Sequence, residues 1–443
     1  MNVTLVYPCL RNFGGWNSLG KNREGCFILH GLPSIAACLE EKGHNVKLLD
    51  LRERHSWDDT YDWITRDNSM IYGIYMSTLD YHEAKTTAEL IRKAKPNAKI
   101  IVGGPHPSVI PEVVAEDKVF DYVFAGEGEI TFPDLVENPD KYPRIVHGEH
   151  PDLNKLPFED REIFNMKKVL ATKHIIFPSP FMNVISGRGC PHNCSFCKPG
   201  EDLIFGKFRM RSVDHLMGEI EMLEQKYQFN FLLIDDDLFT ASTDYVYEWC
   251  DRYEKIKKPF SIQTRADWAS RNIDALQRMK EVGLGWVRMG LESGNQRILN
   301  LMRKGVTVEQ NVQAVENCHK IGLQVIANYM LGNPSETKAE TLDTINMIKR
   351  LNIEWKSAAF YTPIVGTDLY DYCRAHKLLV SDDPAVLGTR TITEQPRLKG
   401  VDYDWIQRQM YGNYYRQRHF VRAVLNRYPV LAPLRKVASR LVK

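Results

Sequence analysis

The chain has 443 residues, too many for one ordinary core, so two or three domains are expected. Its 43 % apolar and 26 % charged residues are those of a soluble globular protein, and a net charge of +2 gives no general attraction to nucleic acid. Nine cysteines, an odd number, argue against a disulfide framework and for a reducing, cytoplasmic setting. The first eight residues lack the basic and apolar regions of a signal peptide, and no stretch reaches the length of a membrane-spanning helix.

Residues 1–150 alternate strand patterns (3–7, 46–51, 71–76, 99–102, 122–125) with helix patterns (33–42, 81–94, 108–116). β-Branched runs between helices predict a parallel sheet covered on both faces. Five such strands suggest a flavodoxin-like doubly wound fold, which takes its ligand at the carboxyl ends of the strands. Those ends carry Ser77-Thr78, Gly103-Gly104-Pro105-His106 and Gly126-Glu127-Gly128-Glu129. Glycines there let a large ligand approach the backbone, and hydroxyls can bond to it, although Gly-Gly-Pro alone also suits a tight turn.

After a linker at 151–180, the alternation resumes through 181–375. Strand patterns fall at 183–186, 231–234, 261–263, 286–289, 324–329 and 358–361, and helix patterns at 213–227, 243–256, 273–282, 308–321 and 339–351. Six units are too few for a closed eight-stranded barrel and predict a partial (β/α)6 barrel, reactive at its C-terminal strand ends. The loop after the first strand holds Cys190, Cys194 and Cys197, spaced C-x3-C-x2-C. An iron–sulfur cube takes one thiolate per iron, so three thiolates leave one iron open for chemistry. Structural zinc with His192 as fourth ligand, or three packed thiols, are the competing readings; no second ligand pair follows, as a zinc knuckle would require. Later strand ends carry Asp235-Asp236-Asp237, Gln263 with Arg265, Glu292-Ser293-Gly294, then Arg303-Lys304 and Gly332-Asn333-Pro334.

In this order the motifs resemble those of the cobalamin-dependent radical S-adenosylmethionine (SAM) enzymes. The resemblance implies a 4Fe–4S cluster on Cys190, Cys194 and Cys197, whose open iron chelates SAM. It implies SAM contacts from Asp235 and Asp236 to the ammonium and from Glu292 and Ser293 to the ribose and methionine. Arg303 or Lys304 would meet the SAM carboxylate, Asn333 and Phe196 would lie near the adenine, and Gln263 and Arg265 would line the mouth. In the first domain, Ser77, Thr78, Gly103, Gly104, Pro105, Gly126, Glu127 and Gly128, with Leu39–His44 before the second strand, are similar to the cobalamin-binding module of that family. The D-x-H-x-x-G loop of classical cobalamin modules is absent: Asp80-Tyr81-His82 comes near, but Lys85 replaces the glycine and the segment follows the wrong strand. No histidine is therefore assigned to cobalt.

The resemblance implies SAM cleavage to a 5′-deoxyadenosyl radical and, with cobalamin, methylation of an unactivated carbon in a small-molecule or lipid-like substrate. Radical cyclisation or rearrangement is the first alternative. A methylthiotransferase, with a second cluster on Cys9, Cys26 and Cys38, is another, although Cys38 falls inside a helix pattern. A zinc-bearing scaffold is the reading from another class. Expected partners are the substrate and a low-potential electron donor such as flavodoxin or ferredoxin, with no nucleic acid. Tyr361, after the sixth strand, is a candidate substrate contact. From 376 the pattern breaks down, with loops at 381–385 and 389–399 and an aromatic helical stretch at 403–418. Residues 415–443 are basic, lack Asp and Glu, and carry helix-spaced apolar residues interrupted by Pro429 and Pro433. A terminal helix packed on the barrel is the plainer reading of that mainly helical extension, and peripheral contact with an anionic membrane is the other.

Overall fold

The computed structural model describes residues 1–8, 27–174, 176–381 and 398–411. The basic segment 415–443, Cys9 and Cys26 lie outside the described residues, as does most of the loop expected at 381–399.

The first sheet contains β1 (Asn2–Tyr7), β2 (Asn45–Asp50), β3 (Ile71–Tyr75), β4 (Lys99–Gly103), β5 (Tyr122–Ala125) and β6 (Ile145–His147). All pairings are parallel, in the order β2-β1-β3-β4-β5-β6. This is the flavodoxin-like order extended by one strand, with its switch point between β1 and β3. One face buries Leu32, Ala36, Leu39, Phe132 and Leu135 of the helices Gly31–Glu41 and Thr131–Glu137. The opposite face buries Ile64, Ala84, Ala88 and Ile91 of the helices Trp57–Arg66 and Tyr81–Ala94. Sequence patterning omits β6, which has three residues at a sheet edge and little period to read. The helix expected at 108–116 is two short helices, Pro105–Val109 and Pro111–Ala115. Pro111 forces Ile110 out of the helical region, to φ −135°, ψ 57°.

The second sheet is a partial barrel. Its strands are β7 (Phe181–Val184), then, after the hairpin strands β8 (Gly187–Arg188) and β9 (Arg209–Met210), β10 (Phe231–Ile234), β11 (Phe260–Thr264), β12 (Leu284–Glu292), β13 (Gln324–Leu331) and β14 (Trp355–Phe360). The six barrel strands run parallel in the order β14-β13-β12-β11-β10-β7. Leu216, Ile220, Trp249, Leu276, Val315 and Ile348 on the outer helices belong to the main buried core. A second buried cluster, Phe177, Phe181, Phe231, Leu233 and Ile326, fills the interior near the N-terminal strand ends, with Phe177 stacked on Phe231 at 5.1 Å. Reactive groups are thereby left to the opposite, C-terminal mouth. The cysteine loop does not leave β7 directly: the β8/β9 hairpin brackets it.

Buried polar groups tie the barrel to the linker and to the first domain. Arg161, between them in sequence, donates to the Asn183 carbonyl at 2.8 Å and to Glu219 Oε1 at 2.9 Å, and its charge lies 2.9 Å from Glu159. Asn183 Nδ2 donates to the Ile28 carbonyl at 3.1 Å. At the C-terminal side, the helix Tyr403–Tyr411 buries Ile406 in the barrel core, and Lys338 reaches Asp402 at 3.2 Å. No helix among the described residues is long and apolar enough to cross a membrane.

Candidate cofactor-binding and active site

A cavity of about 380 Å³ lies where the carboxyl ends of the first sheet face the mouth of the barrel. One wall holds Gly103, Gly104, Pro105, Gly126, Glu127 and Gly128; the other holds Arg188, Phe205 and Asp235 to Asp237. Gly104 has φ +110°, and a Cβ there would stand 2.9 Å from the Met76 carbonyl, so only glycine lets the chain turn at the cavity wall. Ser77 and Thr78 do not line it. Ser77 Oγ donates to Asp80 Oδ2 at 2.6 Å, and Thr78 Oγ1 lies 3.0 Å from Nδ1 of His106, whose pKa burial lowers to about 4. Glu127 and Glu129 reach the cavity wall already paired, both with Arg188 at 2.6 Å. Burial alone would push the Glu129 carboxyl up; the charge and hydrogen bond of Arg188, with the Ser34 hydroxyl, hold it below its usual range.

The cysteine loop is held by its backbone. Ser195 N donates to the Met302 carbonyl at 2.8 Å, Leu369 N to Ser195 at 2.8 Å and Asp368 N to Lys198 at 2.9 Å. Cys194 is buried with Arg265 Nη1 3.8 Å from its sulfur, while Cys197 Sγ lies 3.5 Å from Glu201 Oε2. Desolvation pushes the thiol of the half-buried Cys190 up, and surrounding protein followed by the Glu201 carboxylate does the same to Cys197, although its side chain reaches the surface; both favour the neutral form until a cation is bound. Among the described residues no three His, Cys, Asp or Glu side chains converge on one ion.

At the barrel mouth, a register shift between Gly290 and Glu292 turns the end of β12, and Glu292 takes φ +58°. A Cβ on Gly290 would lie 2.1 Å from Glu292 Oε1, so that glycine makes room for the carboxylate. Glu292 Oε1 accepts from Lys304 Nζ at 3.0 Å, both being buried, and that ammonium stands 5.8 Å from the centre of the Phe196 ring. Arg265 Nη2 donates to the Lys304 carbonyl at 2.5 Å. Arg303 instead turns to Asp368 at the surface. Ser293 is wholly buried: its Oγ lies 2.9 Å from Thr344 Oγ1 and accepts from Asn295 N. Asn333 is wholly buried: its Nδ2 donates to Glu336 Oε2 at 3.0 Å, and its Oδ1 has no protein partner.

The three aspartates separate in role. Asp235 pairs with Arg288 at 2.8 Å. Asp236 Oδ1 accepts from Ser186 N at 2.5 Å and Gly187 N at 3.2 Å, and its other oxygen binds the Ser186 hydroxyl; burial raises its pKa to about 6. Asp237 is open to the cavity yet ringed by protein, and that burial, followed by the charge of Asp235, pushes its carboxyl up. Gln263 Nε2 donates to the Asp237 carbonyl at 3.2 Å. Tyr361 is 1 % exposed, packed with Leu369 and Cys373 rather than open to the cavity. Sequence reading passed over Arg188, Arg209 and Arg288. Arg288 is detectable as the inward neighbour of Trp286 in the two-residue period of β12, and Arg188 as a cation two residues before Cys190.

Residues 184–348 match the model of the radical SAM superfamily, and residues 18–136 match that of the B12 binding domain. An uncharacterized methyltransferase of Pyrococcus horikoshii is 30 % identical over 372 residues, 79 % of this chain and 79 % of its own. This chain belongs to the cobalamin-dependent radical SAM enzymes. It is also similar to the anaerobic magnesium-protoporphyrin IX monomethyl ester cyclase of Rubrivivax gelatinosus, 27 % identical over 403 residues, 84 % of this chain and 69 % of the cyclase. The radical SAM methyltransferase TsrM from Kitasatospora setae, solved with cobalamin and a 4Fe–4S cluster, shares the fold at a TM-score of 0.65 and 16 % identity, over 85 % of this chain and 75 % of that one. The enzyme's cofactors are a 4Fe–4S cluster, SAM and cobalamin. The glycine-walled cavity and the three-cysteine loop, with Arg265 Nη1 3.8 Å from the Cys194 sulfur, fit them.

Proposed function

We propose that the enzyme methylates an unactivated carbon of a small, largely apolar or lipid-like molecule. One observation carries this reading: a single cavity joins the glycine-lined strand ends of the B12-binding sheet to the aspartates at the barrel mouth. Two cofactors and a substrate bound there would meet without crossing solvent. When bound, the cluster and SAM supply a radical that removes hydrogen, and cobalamin supplies the methyl group.

The chain's own residues have positioning tasks in this reading. Cys190, Cys194 and Cys197 hold the cluster. Lys304, held by Glu292 and standing over the Phe196 ring, presents its ammonium to the SAM carboxylate, and Asp237 faces the SAM ammonium. Gly103, Gly104, Gly126 and Gly128 bring backbone against the corrin. Apolar lining by Leu5, Ile28, Leu32, Ile101 and Phe132 excludes water from the first-domain side. We take residues 1–150 as the cobalamin-binding unit, 151–180 as a linker, 181–375 as the radical SAM barrel and 376–443 as a C-terminal extension. A low-potential flavodoxin or ferredoxin supplies the electron.

The test is anaerobic reconstitution with iron, sulfide and hydroxocobalamin, reduction in the presence of SAM, and mass spectrometry of the products. Formation of both 5′-deoxyadenosine and S-adenosylhomocysteine supports methyl transfer; formation of neither sinks it. The cyclase relative favours a second reading, ring formation without methyl transfer, for which deoxyadenosine appears alone. Iron content separates a methylthiotransferase, at about eight per chain against about four.

A further inference from the structure

The β8/β9 hairpin closes the segment that carries all three motif cysteines. Its two strands have Arg188 and Arg209 as direct cross-strand partners. Like charges placed opposite one another destabilise an antiparallel pair, so this hairpin needs an anion between its arginines. The first domain supplies one. Glu127 Oε1 accepts from Arg188 Nη1 at 2.6 Å, and Glu127 Oε2 binds Arg209 Nη2, with His150 Nδ1 also 2.6 Å from that oxygen. The Glu127 side chain is 3 % exposed. Arg209 is fixed further by the Pro151 carbonyl at 2.7 Å and the Phe205 carbonyl at 3.0 Å. Glu127 Oε2 spends both of its lone pairs on Arg209 and His150, and Oε1 spends one on Arg188, so most of the carboxylate's accepting capacity is used within the protein.

We propose that Glu127, although it stands in the cobalamin-domain motif, is a positioning residue for the iron–sulfur loop: one carboxylate from the first domain pins both strands of the hairpin that shapes the three-cysteine segment. The two half-reactions are thereby coupled structurally, because the loop takes its shape only when the first domain is docked against the barrel. This rests on the reading that Cys190, Cys194 and Cys197 hold the cluster.

The test compares wild type, E127Q, R209Q and the double variant E127Q/R209Q. In E127Q Arg209 loses its carboxylate partner and Arg188 keeps only Glu129, so the two cross-strand cations are no longer bridged, and alkylation of Cys190, Cys194 and Cys197 by iodoacetamide in the apo protein, followed by peptide mass spectrometry, is expected to speed up about ten-fold. Iron loss from the reconstituted protein to a ferrous chelator is expected to accelerate similarly, while hydroxocobalamin affinity, from fluorescence quenching, stays within about two-fold. Removing the second arginine relieves the repulsion, so E127Q/R209Q returns toward wild type in both cysteine readouts. A fall in cobalamin affinity with the cysteine readouts unchanged overturns the proposal, as does a double variant no better than E127Q. Should E127Q be insoluble, a soluble, iron-retaining double variant supports the proposal and an equally insoluble one overturns it. A wild type that takes up no iron defeats the cluster assignment itself, and alkylation of the apo protein still decides whether Glu127 orders the loop.

Discussion

Asp236 shows how one carboxylate can be read for ligand binding and used for shape. Its motif, three aspartates at a strand end, points to a cation, yet its oxygens accept from Ser186 N, the Ser186 hydroxyl and Gly187 N, where the chain enters the β8/β9 hairpin. Burial raises its pKa to about 6 from 3.8. The folded state therefore keeps a proton that the unfolded chain has released, and stability falls as pH rises through that window, then levels off above it. Relative to D236N, wild type is expected to lose about 2 kcal/mol between pH 4.5 and pH 7, measured by urea unfolding of the apo protein. A stability difference independent of pH would contradict the assignment. At the same scale, Glu127 was legible as a strand-end residue beside glycines, but its partners lie 61 and 82 residues away in sequence. Nothing in a local motif records them.

Most elements were visible as periods and caps. The barrel helices Val308–Lys320 and Lys338–Arg350 open with Thr307-x-x-Gln310 and Thr337-x-x-Glu340, and both pairs form reciprocal capping boxes. Thr307→Ala removes the side-chain acceptor of one orphan N–H and is expected to cost about 1 kcal/mol in urea unfolding. An unchanged midpoint would show that solvent replaces the cap. Apart from the ten-residue helix Trp57–Arg66, which the helix patterns of the first domain passed over, the elements that escaped notice are mostly short or irregular. β6 and the hairpin strands have three and two residues, below any measurable period. β12 runs to Glu292 rather than ending at 289, because its pairing with β13 shifts register there and the polar end does not resemble a strand. That shift is also what brings Glu292 to Lys304.

At the scale of the whole molecule, charge fastens the first domain to the barrel through Glu127 and Glu129 on Arg188, and fastens the linker to the barrel through Arg161. Arg161, its side chain 1 % exposed, ties Glu159 and Glu219 to the carbonyl of Asn183. Arg161→Met leaves Glu219 with Arg211 as its remaining cationic partner and is expected to cost about 3–5 kcal/mol; global unfolding within 1 kcal/mol of wild type would refute that weight. The sequence by itself determined the number and class of the sheets, the reactive ends of their strands and the three thiolates, because hydrophobic period, glycine and cysteine spacing are local properties of the chain. Only the tertiary structure decided which strand-end groups stay open to a ligand and which neutralise one another. That choice rests on desolvation and pairing between residues distant in sequence, and it appears only when the two sheets close on one cavity.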